Sequence, residues 1–336
     1  MRISRWCAAM LLLTAPASYA DGSLTLKATF KMGSLIPPSV LQQSGKPMPT
    51  IPPVVSVIRV QGSKEYAGSQ LHPVIYDFST QQVTVLDSTG KHFATVYASD
   101  YFPDLSSALP AMPAIPAQAK AILQTVKAVF SSRKTGKTDL VLGIPVSESI
   151  WTFSIELPVQ GLPVPVAATP PDGTITVARV VAHAWIASPD AIAHNKALAE
   201  VMAHRASAVT GLYNPTSLLK ALADYPGLHD PLAAMIDRYM NNPPMTLKME
   251  ANIYLPVMAQ IAPMLAVQGK LPPDFNPNAS LGEIDVVAEQ ISDVPIDPAV
   301  FQVPPDYTSM PLAEMMKASV QAAAPQRRAP MVYTNQ

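Results

Sequence analysis

The side chains of this 336-residue chain whose types suit chemistry are six histidines, a Gly-Lys-Thr triplet, scattered carboxylates and sixteen methionines. The histidines are His72, His92, His183, His194, His204 and His229, and no two lie three to five residues apart, the spacing that sets two imidazoles on one helix face for a metal. His194 and His204, ten apart, read as solvated positions on one helix. Gly136-Lys137-Thr138 matches the end of a phosphate-binding loop, but the position that needs the earlier glycine is Ser131 and the following residues read as strand. A hairpin turn is the expectation there. There is no Gly-x-Ser-x-Gly elbow, and no serine stands in a nucleophile's context. Glu283, Asp285 and Glu289 fall on alternate positions of one strand and read as a solvated outer face.

Thioethers ligate copper and also make adaptable apolar surface. Met245 and Met249 lie four apart in an alternating run and are expected on one side of a strand, which favours core or cavity lining over a metal. Met310, Met315 and Met316 read as packing near a short terminal helix. No catalytic residue, no metal ligand and no cofactor is therefore assigned. What remains is a set of large apolar side chains on strand positions: Phe30, Trp151, Phe153, Trp185, Met245, Met249 and Ile253. These are the candidate lining of a ligand cavity, although ordinary packing of helices on a sheet uses the same residue types.

The elements that must position them are mostly strands. Leu24, Leu26, Ala28, Phe30 and Met32 alternate with polar residues, as do Trp151, Phe153, Ile155 and Leu157, then Met245 to Leu255, then Ile284, Val286 and Ala288. Stripes of this kind belong to an antiparallel sheet covered on one face. Val74–Ser79, Gln82–Asp87 and His92–Ala98 form a meander of tight hairpins. Helices are expected from about Gln118 to Ser131, with Ile122, Val126, Val129 and Phe130 on one face, and around Leu232, Met235, Ile236, Tyr239 and Met240. Ser188-Pro189, Asn214-Pro215 and Asp230-Pro231 each read as a helix start, with a capping side chain before a first-turn proline. Residues 189–242 are thus a helical insertion, read as part of the domain, with a separate helical subdomain as the alternative. Thirty-six prolines, clustered at 37–53, 103–116, 158–171 and 295–311, mark connections. The fold class is α+β, a large curved antiparallel sheet with helices packed on its concave side.

Residues 1–20 carry Arg2 and Arg5, an apolar run from Cys7 to Leu13 and small residues before Ala20, the pattern of a secretory signal cut to leave Asp21 first. The one cysteine, Cys7, goes with it, leaving no thiol and no disulfide. The net charge of −1 becomes slightly more negative, and no basic cluster exceeds two residues, which argues against nucleic acid. Only 14% of residues are charged and 49% are hydrophobic, yet no apolar run long enough to span a bilayer follows the leader. The surplus apolarity belongs to core, cavity or contact surface.

Val57-Ile58-Arg59-Val60-Gln61-Gly62-Ser63-Lys64, then Val74 to Phe78 and Val83 to Asp87, resembles an uncharacterised-domain family of exported bacterial proteins that looks like the periplasmic lipoprotein carriers LolA and LolB. Ala184-Trp185-Ile186-Ala187-Ser188 and Ile296-Asp297-Pro298-Ala299-Val300-Phe301-Gln302-Val303-Pro304 agree with it, the last being the most specific piece. The resemblance implies a half-barrel around an apolar cavity that takes acyl chains, spanning residues 21–322 as one LolA-like domain, with 323–336 as a flexible tail. It implies no established activity. The Pro-rich segment 33–53 and the helical insertion depart from the pattern, and an inserted helix would be able to fill the cavity. The expected function is an exported, periplasmic or extracellular, non-enzymatic envelope protein whose partner is a lipid or a lipoprotein acyl chain. The alternatives are a structural or protein-interaction module without a cavity, and a hydrolase.

Overall fold

A computed structural model describes residues 21–43, 51–69, 72–108, 121–122, 124–159, 173–211, 226–241 and 244–323. The sheet is open, curved and almost wholly antiparallel. Its twelve strands are β1 (Gly22–Met32), β2 (Val54–Gln61), β3 (Lys64–Ser69), β4 (Val74–Asp77), β5 (Gln82–Asp87), β6 (His92–Tyr97), β7 (Lys127–Val141), β8 (Ile144–Pro158), β9 (Thr174–Ala187), β10 (Thr246–Tyr254), β11 (Ser280–Ser292) and β12 (Thr308–Ser309). The helices are α1 (Pro38–Gln43), α2 (Ala98–Ala108), α3 (Pro189–Ala193), α4 (Lys196–Gly211), α5 (Pro226–Asn241), α6 (Val257–Val267) and α7 (Leu312–Ala323).

In space the order is β12-β6-β5-β4-β3-β2-β1-β11-β10-β9-β8-β7. The chain walks outward from β1 to β6, crosses to the far edge at β7, and walks back to set β11 beside β1. Strands consecutive in the chain are therefore neighbours on each flank, and β1 with β11 is the seam between the flanks.

Local chemistry explains the hairpins. Asp77 Oδ1 accepts the N–H of Ser79 at 2.9 Å, and ten residues on Asp87 Oδ1 accepts those of Thr89 and Gly90 at 3.0 Å. Each loop ends in a left-handed residue, Gln81 and Lys91, both with φ of 55°. Between β7 and β8 both turn residues, Leu142 and Gly143, have positive φ, 52° and 78°, the two-residue turn whose twist matches the strands it joins.

Apolar side chains bury on both faces of the meander. Tyr76, Val83, Val85 and Ala94 pack with Leu312 and Met315 of α7. On the other face Ile75 and Leu86 pack with Ile296 and Phe301, the latter on a short 3₁₀ turn (Pro298–Phe301) capped by Asp297. The largest core joins the seam to α4: Leu24, Val60, Leu198, Val201 and Leu247 are fully buried. Asp21 closes the start of β1, its carboxylate accepting the backbone N–H of Ile296 at 2.5 Å and the amide of Gln61 at 3.0 Å.

Several expectations are overturned. Residues from Lys127 onward form a strand, so Val129 and Phe130 are not on a helix; the pairing of Ala128 with Ile155 and of Phe130 with Phe153 overrides the helical spacing. Gly136 makes no hairpin turn. It sits inside β7, where the register with β8 slips between Lys134 and Thr138, and its φ is 82°. His194 and His204 occupy different helices, because His194 caps the end of α3 and Asn195 starts α4 by accepting the N–H of Leu198 at 3.0 Å. His204 is buried, its ring 5.2 Å from that of Phe78. Ser188 caps α3 as expected, accepting the N–H of Ala191, but Asp230-Pro231 lies within α5, which begins at Pro226. Residues 1–20, where a leader is expected, Asn214-Pro215 and residues 324–336 of the expected tail lie outside the described residues.

Candidate functional site

Residues paired across antiparallel strands share a face, so the register sorts the candidate lining directly. One row runs Phe30, Ile284, Ala251, Ala182, Trp151 across β1, β11, β10, β9 and β8. The next runs Met32, Gly282, Ile253, Val180, Phe153, Phe130, reaching β7. A third runs Ala28, Val286, Met249, Ala184, Ser149. Five of the seven candidates, Phe30, Trp151, Phe153, Met249 and Ile253, thus share one apolar face.

That face has relief. Ala251, Ala182 and Ala184, on the two middle strands, are buried at 5%, 6% and 0% exposure, while Trp151, Phe153, Phe30 and Ile284 on the flanking strands are half-buried. These alanines make a low patch beside Met249 and Ile253 of β10 and Val180 of β9, with aromatic and branched side chains as walls three strand spacings apart, roughly 14 Å. Gly282 lies beneath Phe30, where a Cβ would stand 3.0 Å from the phenyl ring and push it aside.

Trp185 and Met245 lie on the opposite face. β10 carries an extra residue between Thr246, which pairs with Ile186, and Lys248, which pairs with Trp185. This bulge at Leu247 reverses the alternation, so Met245, whose carbonyl accepts the N–H of Ala187 at 2.9 Å, does not share the side of Met249. Met245 is 1% exposed and belongs to the main core, and Trp185 carries the Lys248 ammonium over its ring at 4.3 Å.

On the face of Trp185 a carboxylate escaped the sequence reading. Glu148 is 2% exposed; its Oε2 accepts from the Thr135 hydroxyl at 2.6 Å and lies 3.5 Å from Lys137 Nζ, and its Oε1 lies 2.7 Å from His183 Nδ1. Hydrogen bonds from Thr135 and His183 hold its pKa down to about 2, against the weaker opposing effect of burial. The signal was available: Ile144, Val146, Glu148 and Ile150 are one period-two stripe with a single charge in it. A carboxylate that orients an imidazole is half of a general-base relay. Here the hydroxyl, Thr135, bonds to the carboxylate and not to the imidazole, so the cluster ties β7, β8 and β9 together and forms no nucleophile relay. Farther along this face Lys31 pairs with Asp285 at 2.7 Å and Lys27 with Glu289 at 3.0 Å, as a solvated outer surface requires. Among the described residues no three His, Cys, Asp or Glu side chains are grouped to hold a metal.

Among the described residues the surface carries open hollows. One of about 370 Å³ is lined by Arg179, Val181, Tyr254, Pro256, Pro277 and Asn278. Another of about 320 Å³ lies over the Lys31, Lys248, Glu250 and Asp285 charges, and a third of about 410 Å³ lies between the β7–β8 turn and α3. Neither Trp151 nor Phe153 lines any of the three. No family model matches the chain, and no curated protein matches it in sequence. The site is therefore read on its geometry. No described helix is long and apolar enough to cross a membrane.

Proposed function

We propose that the protein is an exported envelope protein, periplasmic or extracellular, that binds an apolar ligand without chemical turnover, in a LolA-like half-barrel with helices on its concave side. The ligand class is an acyl chain, free or on a lipoprotein. One observation carries the reading: the row from Met32 to Phe130 crosses six strands and its neighbour from Phe30 to Trp151 crosses five with no polar side chain in either, and Ala251, Ala182 and Ala184 lie low between the Trp151–Phe153 wall and the Phe30–Ile284 wall. A trough of small residues between bulky ones has the shape a flexible hydrocarbon fills, and burying the chain there supplies about 0.8 kcal/mol per methylene. The large wall residues remain half-buried, unlike the fully buried seam core of Leu24 and Val60. Titration with a fluorescent fatty acid tests it: saturable uptake displaced by oleate supports the reading, and no uptake at micromolar protein opposes it.

A second reading, an interaction module without a ligand cavity, draws on β7. This strand is an edge, paired on one side only, and residues 131–140 are exposed apart from the half-buried Thr135. The slip at Gly136 and the neighbouring Arg133, Lys134 and Lys137 are features that discourage another strand from adding there, which leaves the ligand reading ahead.

A further inference from the structure

Helix α6 departs from the rule that a helix apolar on all sides is buried in its own protein. Its eleven residues, Val257-Met-Ala-Gln-Ile-Ala-Pro-Met-Leu-Ala-Val267, include one polar side chain, Gln260, and no charge. Only Ala262 is buried. Val267 is 90% exposed, Pro263 and Ala266 are exposed, and Met258, Ile261, Met264 and Leu265 are half-buried. The helix packs on β9 and presents the rest of its apolar surface outward.

Charge around the helix narrows what covers it. Residues 251–273 contain no Asp or Glu. Exposed Lys270 follows the last turn, and exposed Arg179 lines the hollow shared with Pro256, which caps the first turn. The next acid, exposed Asp274, lies four residues beyond Lys270, and the backbone N–H and hydroxyl of Ser39, at 3.4 and 2.6 Å, hold its carboxylate ionised. A short uncharged helix with a cation near each end and no acid within it or its flanking turns is complementary to anionic lipid headgroups over hydrocarbon. At about 1.5 Å per residue it is too short to cross a bilayer and long enough to lie in one leaflet's interface.

We propose that α6 is a membrane-docking helix: Met258, Ile261, Met264, Leu265 and Val267 enter the acyl boundary of an anionic leaflet, and Arg179 and Lys270 meet lipid phosphates. The acyl-ligand reading gives this contact its purpose, since such a ligand leaves or enters a bilayer, but the exposure and charge of α6 stand without it.

The test is flotation of the purified protein with vesicles of phosphatidylethanolamine and phosphatidylglycerol, beside vesicles of phosphatidylcholine alone. The protein floats with the anionic vesicles, and Val267→Asp, at a position too exposed to disturb folding, lowers the bound fraction about tenfold. Val267→Asp keeps fatty-acid uptake from solution, whereas Trp151→Ala loses uptake and still floats, so the two readings fail separately. Absence of flotation, or flotation equal in Val267→Asp, overturns the proposal. So does a wild-type dimer in detergent-free buffer that Val267→Asp dissociates, which would make a second copy the occupant of α6.

Discussion

Met245 and Met249, four residues apart on one edge of the same apolar run, face opposite sides of the sheet because Leu247 is the extra residue of a bulge. Their substitutions should therefore separate. Met245, 1% exposed in the seam core, costs about 2–5 kcal/mol when replaced by alanine, read as a lower urea midpoint. Met249→Ala on the trough face shifts the midpoint far less and weakens fatty-acid uptake instead. Equal loss of stability from both would contradict the register.

The two tryptophans among the described residues, Trp151 and Trp185, also lie on opposite faces. A fatty acid brominated along its chain should quench Trp151 by contact and spare Trp185, which sits under Lys248. In Trp185→Phe nearly all quenching persists, and in Trp151→Phe it is lost.

Glu148 makes acid stability readable. Its carboxyl is held down to about 2 in the folded protein against 4.5 for the free group, so its stabilising effect is complete above pH 4.5 and is lost as pH falls towards 2. Glu148→Gln should flatten the stability profile between those limits. Thr135→Val should remove much of the effect, because the Thr135 hydroxyl is the largest of the groups depressing the pKa.

His204 acts at higher pH. Burial against Phe78 lowers its pKa below 6.5, only partly opposed by Glu200, so the unfolded chain takes up the proton first as pH falls. Stability contributed by neutral His204 is full above pH 6.5 and declines below it. Melting temperatures of the wild type should fall from pH 7.5 to 5.5 more than those of His204→Leu.

Strand existence was legible wherever polar and apolar residues alternate, as in β1, β8, β10 and β11, because the period-two pattern records which side chains meet the core. It failed at β7, whose spacing of Ile122, Val126, Val129 and Phe130 fits a helix as well, and where strand geometry is imposed by β8. Candidate lining residues were legible in kind but not in facing. A bulge is a pairing event between two strands, and the run from Met245 to Ile253 carries no mark of it. The helix starts among the described residues show the same limit: Ser188 caps, while Pro231 is tolerated inside a helix already begun at Pro226. His204 looked solvated because the ring that covers it, Phe78, comes from a distant hairpin.

The most direct test of the central claim is native mass spectrometry of the protein purified without detergent, followed by organic extraction of whatever it releases. The account predicts a lipid or fatty acid at near one per chain, diminished in Trp151→Ala. An empty protein that also takes up no fluorescent fatty acid would contradict it.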